Sequence, residues 1–134
     1  MLSEIGVRGQ ATVRIFKNKW FAKFANKEGI SDEKLIKAVE DAEAGNIDAD
    51  YGGGVIKQRI ARPKEGKSGG YRSIILYRGE DKAFFVYGFA KSVMENIDKA
   101  DVKGFKQLAK VMLDLTDEEL KTLLKNKEIE EVES

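Results

Sequence analysis

Between residues 52 and 90 the chain alternates strand-like runs with short breakers, and this stretch constrains the fold more than any other. Gly52-Gly53-Gly54 punctuates the sequence before residues 55–62, VIKQRIAR, and Pro63 ends that run because it cannot donate to a ladder. Residues 64–70 then read as a basic, glycine-containing loop and 71–78 as a strand. Gly79-Glu80-Asp81-Lys82 makes the next turn, and 83–90 return as another strand. Three strands joined by short connections make an antiparallel meander.

The flanks carry helical periodicity. Residues 10–16 read as a first strand, after which Asn18 can cap a helix whose Trp20, Phe21, Phe24 and Ala25 share a core face. Gly29 stops it. Ser31 opens a second helix with Asp32 and Glu33 in its first turn and the stripe Leu35, Ile36, Val39, Ala42, and Gly45 ends it. In the last third, Asp101 can cap a helix burying Val102, Phe105, Leu108, Ala109 and Met112. Thr116 and Glu119 then form a capping box, with Leu115 and Leu120 placed for a hydrophobic staple. Leu120, Leu123 and Leu124 share a side that either packs on the body or covers a binding or active surface, while residues 128–134 read as an acidic, frayed end. The expected class is α+β: an antiparallel sheet packed with an N-terminal helical hairpin, plus C-terminal helices. The 134 residues fit a single domain, with a core over about 11–113 and a helical extension with an acidic tail over 114–134.

The absence of cysteine and histidine narrows the chemistry. It excludes disulfides, thiolate metal sites, zinc hydrolases and Cys-His or Ser-His-Asp nucleophilic catalysis. No cofactor and no metal ligand set is expected. The start of the chain lacks a basic segment followed by an apolar one, and the apolar run at 83–90 is too short to span a bilayer. A cytoplasmic location with no membrane partner is therefore expected.

Net charge is +1, from 24 basic and 23 acidic residues, but the average conceals two blocks. In residues 54–78, Lys57, Arg59, Arg62, Lys64, Lys67, Arg72 and Arg78 stand against Glu65 alone, a balance of +6. Residues 114–134 balance at −5, with eight acids against three lysines. Strand alternation projects Lys57 and Arg59 from one face. Such a cluster can be a solvated strand face, or an electrostatic footprint for phosphate with tyrosines near enough to stack on bases. Gly52-Gly53-Gly54 and Lys67-Ser68-Gly69 lack the spacing of a phosphate-binding loop, so the triplet reads as a flexible turn. Asp32, Asp48 and Asp50 form no calcium loop and read as solvated.

Lys57-Gln-Arg59, Lys67-Ser-Gly-Gly-Tyr-Arg72 and Tyr87-Gly-Phe-Ala-Lys91 together resemble the RelE/ParE superfamily of type II toxins, nearest its RelE-like, HigB-type branch. Phe16-Lys-Asn-Lys-Trp-Phe-Ala-Lys23 and Asp48-Ala-Asp-Tyr-Gly-Gly-Gly54 are similar to the same branch, and the likeness runs over residues 13–124. It implies a RelE-like fold and an mRNA interferase, an endoribonuclease that cuts messages in the ribosomal A site and inhibits translation. It also implies a cognate antitoxin, a helix-turn-helix protein encoded next door, with ribosome and mRNA as the other partners.

On that resemblance Lys57 is the base candidate and Arg59 supports the phosphate or transition state. Arg72 contacts the scissile phosphate, and Lys91 acts as acid or holds the leaving group. Arg62, Lys64, Lys67 and Tyr71 are assigned to RNA binding. The chain departs from RelE at Ser92, where RelE has an arginine, and residues 93–98 lack its tyrosine. Tyr71 and Tyr87 stand as alternative proton-transfer groups, with Tyr87 read chiefly as core or stacking. Two other readings stay open: a ParE-like gyrase-inhibiting toxin, and a catalytically silent RNA- or protein-binding module.

Overall fold

The computed structural model describes residues 13–61, 70–94 and 96–133. Their order is β1 (Arg14–Asn18), α1 (Lys19–Glu28), α2 (Asp32–Glu43), β2 (Ala49–Gly52), β3 (Val55–Ile60), β4 (Tyr71–Arg78), β5 (Lys82–Ala90), α3 (Lys99–Met112), α4 (Asp117–Lys125) and β6 (Ile129–Val132). The six strands form one sheet in the order β2-β3-β4-β5-β1-β6. The meander β3-β4-β5 is antiparallel, as its short connections require. One pairing departs from the all-antiparallel expectation: β1 lies parallel to β5, because the helical hairpin and the meander intervene as a long crossover.

The α1–α2 hairpin covers one face of the sheet. Phe21, Ala25, Leu35, Ala38, Val39 and Ala42 are buried there against Ile56, Ile60, Ile75 and Phe85. Asn18 caps α1 by accepting from the Phe21 N–H at 2.7 Å, and Gly29 closes it in the left-handed conformation. The α1 face is only partly core, since Trp20 is 45% exposed and rests on Phe24 and Tyr87. Tyr77 of β4 reaches α2, where its phenol donates to the Glu43 carboxylate. Burial, then that hydrogen bond, raises the phenol above its ordinary pKa near 10. A phenol raised in the folded state keeps its proton there while the unfolded chain ionises. Stability is therefore expected to fall as pH climbs through about 10. Urea titrations between about pH 9 and 11 should show that decline flattened in Tyr77→Phe.

The opposite face packs against α3 and α4. Ala109, Leu113 and Leu120 are buried on Phe16, Val55, Ile74, Leu76 and Phe84, with Leu123 and Leu124 partly buried beside them. The glycine triplet earns its place here as a tight turn. Gly52, Gly53 and Gly54 all have positive φ, and a Cβ on Gly54 would meet Leu113 Cδ1 at 2.8 Å. The turn thus lets α3 approach β3 closely. Asp98, not Asp101, caps α3: its carboxylate accepts from the Asp101 N–H at 2.9 Å.

The Thr116/Glu119 capping box forms in both directions, at 3.1 Å and 2.9 Å. Thr116→Ala should cost about 1 kcal/mol, read as a lower denaturation midpoint at unchanged slope.

The acidic end is not frayed but forms β6, antiparallel to β1. Ile129 and Val132 are buried, Arg14 holds Glu131 through two hydrogen bonds of 2.9 Å, and Lys17 Nζ lies 3.9 Å from Glu130. The acids that read as a solvated tail are the charged side chains of an edge strand, matched to the cations of its neighbour.

Candidate functional site

Strand alternation builds the site. On β3, Ile56, Gln58 and Ile60 face the helical hairpin, which leaves Lys57 and Arg59 on the α3 side. The β3–β4 register sets Arg59 directly opposite Arg72, and the β4–β5 register sets Arg72 opposite Phe89. Two arginines therefore share one cross-strand position, with Lys57 one row behind. Like charges directly opposite one another destabilise a sheet unless an anion comes between them.

The cations differ in setting. Lys57 and Arg72 are buried, at 8% and 7% exposed, whereas Arg59 is exposed and makes no ion pair among the described residues. Lys57 Nζ donates to Asn96 Oδ1 at 2.5 Å and lies 3.5 Å from Asp48 Oδ2. Arg72 Nε lies 3.6 Å from the same Asp48 oxygen, and its Nη1 donates to the Tyr71 carbonyl at 3.3 Å. The Tyr51 hydroxyl donates to Asn96 at 3.4 Å. Burial, and then the negative charge of Asp48, raises the Tyr51 phenol above its ordinary pKa.

Lys91 follows β5 at the same end of the sheet, its N–H donating to the Gly70 carbonyl at 3.1 Å. Arg62, Lys64 and Lys67 lie outside the described residues.

Tyr71 is not part of this group. It is 4% exposed, in the core beneath the helical hairpin, where its hydroxyl donates to Glu28 at 2.8 Å and its ring meets Phe24 edge-on. That position sets it apart from the cations with which the sequence grouped it for RNA binding. The alternation that puts Arg72 on one face puts Tyr71 on the other. Tyr87 is half-buried, its ring centroid 4.6 Å from Trp20 and 6.0 Å from Phe89. A bulge beside it, between the pairings of Ile74 and Ile75, shifts the β4–β5 register.

Three neighbours of the cations were not assigned to the site from the sequence. Asp48 and Tyr51 lie in the 48–54 stretch that resembles the family, but Asp48 read as solvated and Tyr51 drew no role, while Asn96 falls in a segment notable only for lacking a tyrosine. They meet only because β2 pairs with β3 and the segment before α3 passes over Lys57. Among the described residues no group of three or more Asp and Glu side chains is placed to hold a metal ion.

A sheet flanked by an α1–α2 hairpin and C-terminal helices is the fold that the sequence resemblance implied. The family model for the RelE toxin of the RelE/RelB toxin–antitoxin system matches residues 13–132. The chain belongs to the RelE toxin family, and the match takes in β6 as well as the body of the sheet. A comparison with curated proteins gave no significant match. No helix among the described residues is long and apolar enough to cross a membrane.

Proposed function

We propose that this toxin is a ribosome-dependent mRNA interferase of the HigB-type branch, an endoribonuclease that inhibits translation in the cytoplasm. A cognate helix-turn-helix antitoxin from the adjacent gene would neutralise it. The observation that carries this reading is the Arg59–Arg72 cross-strand pair with Lys57 behind it, three cations on one face whose mutual repulsion an RNA phosphate would relieve.

In the reaction the 2′-hydroxyl oxygen attacks the adjacent phosphorus and the bond to O5′ breaks. The products are a 2′,3′-cyclic phosphate and a 5′-hydroxyl. One proton leaves the 2′-oxygen and another reaches O5′. Arg72 and Arg59 bind the non-bridging oxygens, for which the planar guanidinium is suited by its paired donors and permanent charge. Lys57, acting as the neutral amine, is assigned as the base that takes the 2′-hydroxyl proton, and Lys91 as the acid or leaving-group contact. Arg62, Lys64 and Lys67 contact the RNA backbone. The ribosome supplies the in-line geometry of the message, so the isolated protein should be a poor nuclease.

Primer extension on translated messages, before and after induction, tests the reading. New 5′ ends within codons support it. Intact messages with unchanged protein synthesis overturn it, and DNA breaks with an SOS response would favour a ParE-like gyrase toxin instead.

A further inference from the structure

Asp48 stands between two buried cations. Its Oδ2 lies 3.5 Å from Lys57 Nζ and 3.6 Å from Arg72 Nε. Those separations exceed the roughly 2.7–2.9 Å of a tight charge-assisted hydrogen bond, so the carboxylate restrains both cations by charge and can be displaced from either. Its backbone is fixed independently. The Asp48 N–H donates to Gln58 Oε1 at 2.8 Å, and the buried Gln58 amide donates to the Ala38 and Asn46 carbonyls at 2.9 and 3.1 Å. The Asp48 side chain is 27% exposed, against 10% for Lys57 and 9% for Arg72, so solvent reaches the acid more readily than either base.

We infer that Asp48 is a resident counter-anion of this site. It holds Lys57 and Arg72 in place in the free protein, and an incoming phosphodiester takes its position across Lys57, Arg72 and Arg59. The inference rests on reading those cations as the phosphate site. Asp48 is then a positioning residue with opposed effects on binding and turnover. Losing its charge leaves the cations with less internal neutralisation and tightens phosphate binding. It also lets Lys57 and Arg72 drift, so turnover falls along with KM. An aspartate with only a structural role would lower stability and leave both constants of the folded protein unchanged.

Calorimetric titration of the whole chain tests this, with inorganic phosphate and with an oligoribonucleotide blocked by 2′-deoxy substitution as probes. Asp48→Asn should bind both about tenfold tighter, with a log–log salt dependence for the oligonucleotide steeper by about 0.7 per additional phosphate neutralised. Asp48→Glu should return both toward wild type. Unchanged or weaker binding in Asp48→Asn overturns the inference, as does tightening for the oligonucleotide without tightening for phosphate. Should Asp48→Asn fail to fold, the wild-type protein still decides. Its Asp48 carboxylate carbon resonance should move along the phosphate-binding curve, and a resonance that stays fixed while phosphate binds is contrary. These readouts are binding measurements, so an absence of message cleavage would count against the nuclease reading and leave this result standing.

Discussion

Arg72→Ala is expected to lower cleavage of ribosome-bound message by about 10²–10³-fold, the scale for removing one preorganised donor from a developing oxyanion. Arg72 sits at the crossing of two constraints. The strand registers hold its backbone between Arg59 and Phe89, and Asp48, just before β2, faces its side chain. Arg72→Lys should recover little, since a lysine keeps the charge but not the planar fork. Because Arg72 is buried, each variant needs a denaturation curve beside its activity. The expectation is a loss of rate far larger than any loss of folded protein at the assay temperature. Rates that track the folded fraction would reduce Arg72 to a structural residue.

The second large effect concerns stability. Ending the chain after Lys127 removes β6 and, with it, the buried Ile129 and Val132. Burial of two such side chains contributes about 3–5 kcal/mol, a large share of the roughly 5–15 kcal/mol that holds a domain together. The truncation also exposes the β1 edge and leaves Arg14 without Glu131. Chemical denaturation should show a fall of that size. A truncated chain as stable as the full one would mean that β6 adds nothing to the sheet.

How far the fold was legible follows from which forces act locally. The meander could be read because connections too short for a parallel crossover leave its strands one arrangement, and strand β4 starts and ends at the residues expected. The Asn18 cap and the Thr116/Glu119 box could be read because each joins residues three apart. Strand β2, Ala49–Gly52, could not, because four residues including an aspartate and a glycine become a strand only through pairing with β3. Strand β6 was hidden for the same reason, its two aliphatic residues lying among glutamates that make sense only beside Arg14 and Lys17.

The site divides along the same line. Lys57, Arg59 and Arg72 were legible because strand alternation and charge clustering are sequence properties. Asp48 and Asn96 were not, since each reaches Lys57 from a separate segment of chain. Tyr71 was misplaced where alternation, followed one residue further, would have sent it to the core with Ile75.

The central claim is that the cations on β3 and β4 cut RNA on the ribosome. Its most direct test is a purified translation complex with a defined codon in the A site and 3′-end-labelled message, incubated with wild type, Lys57→Ala or Arg72→Ala. The account predicts a single cut within that codon by the wild-type protein, leaving a 5′-hydroxyl on the labelled fragment. Little or no cut is predicted with either variant or without ribosomes. Message that stays intact with folded wild-type protein, or that both variants cut as fast as wild type, would contradict it.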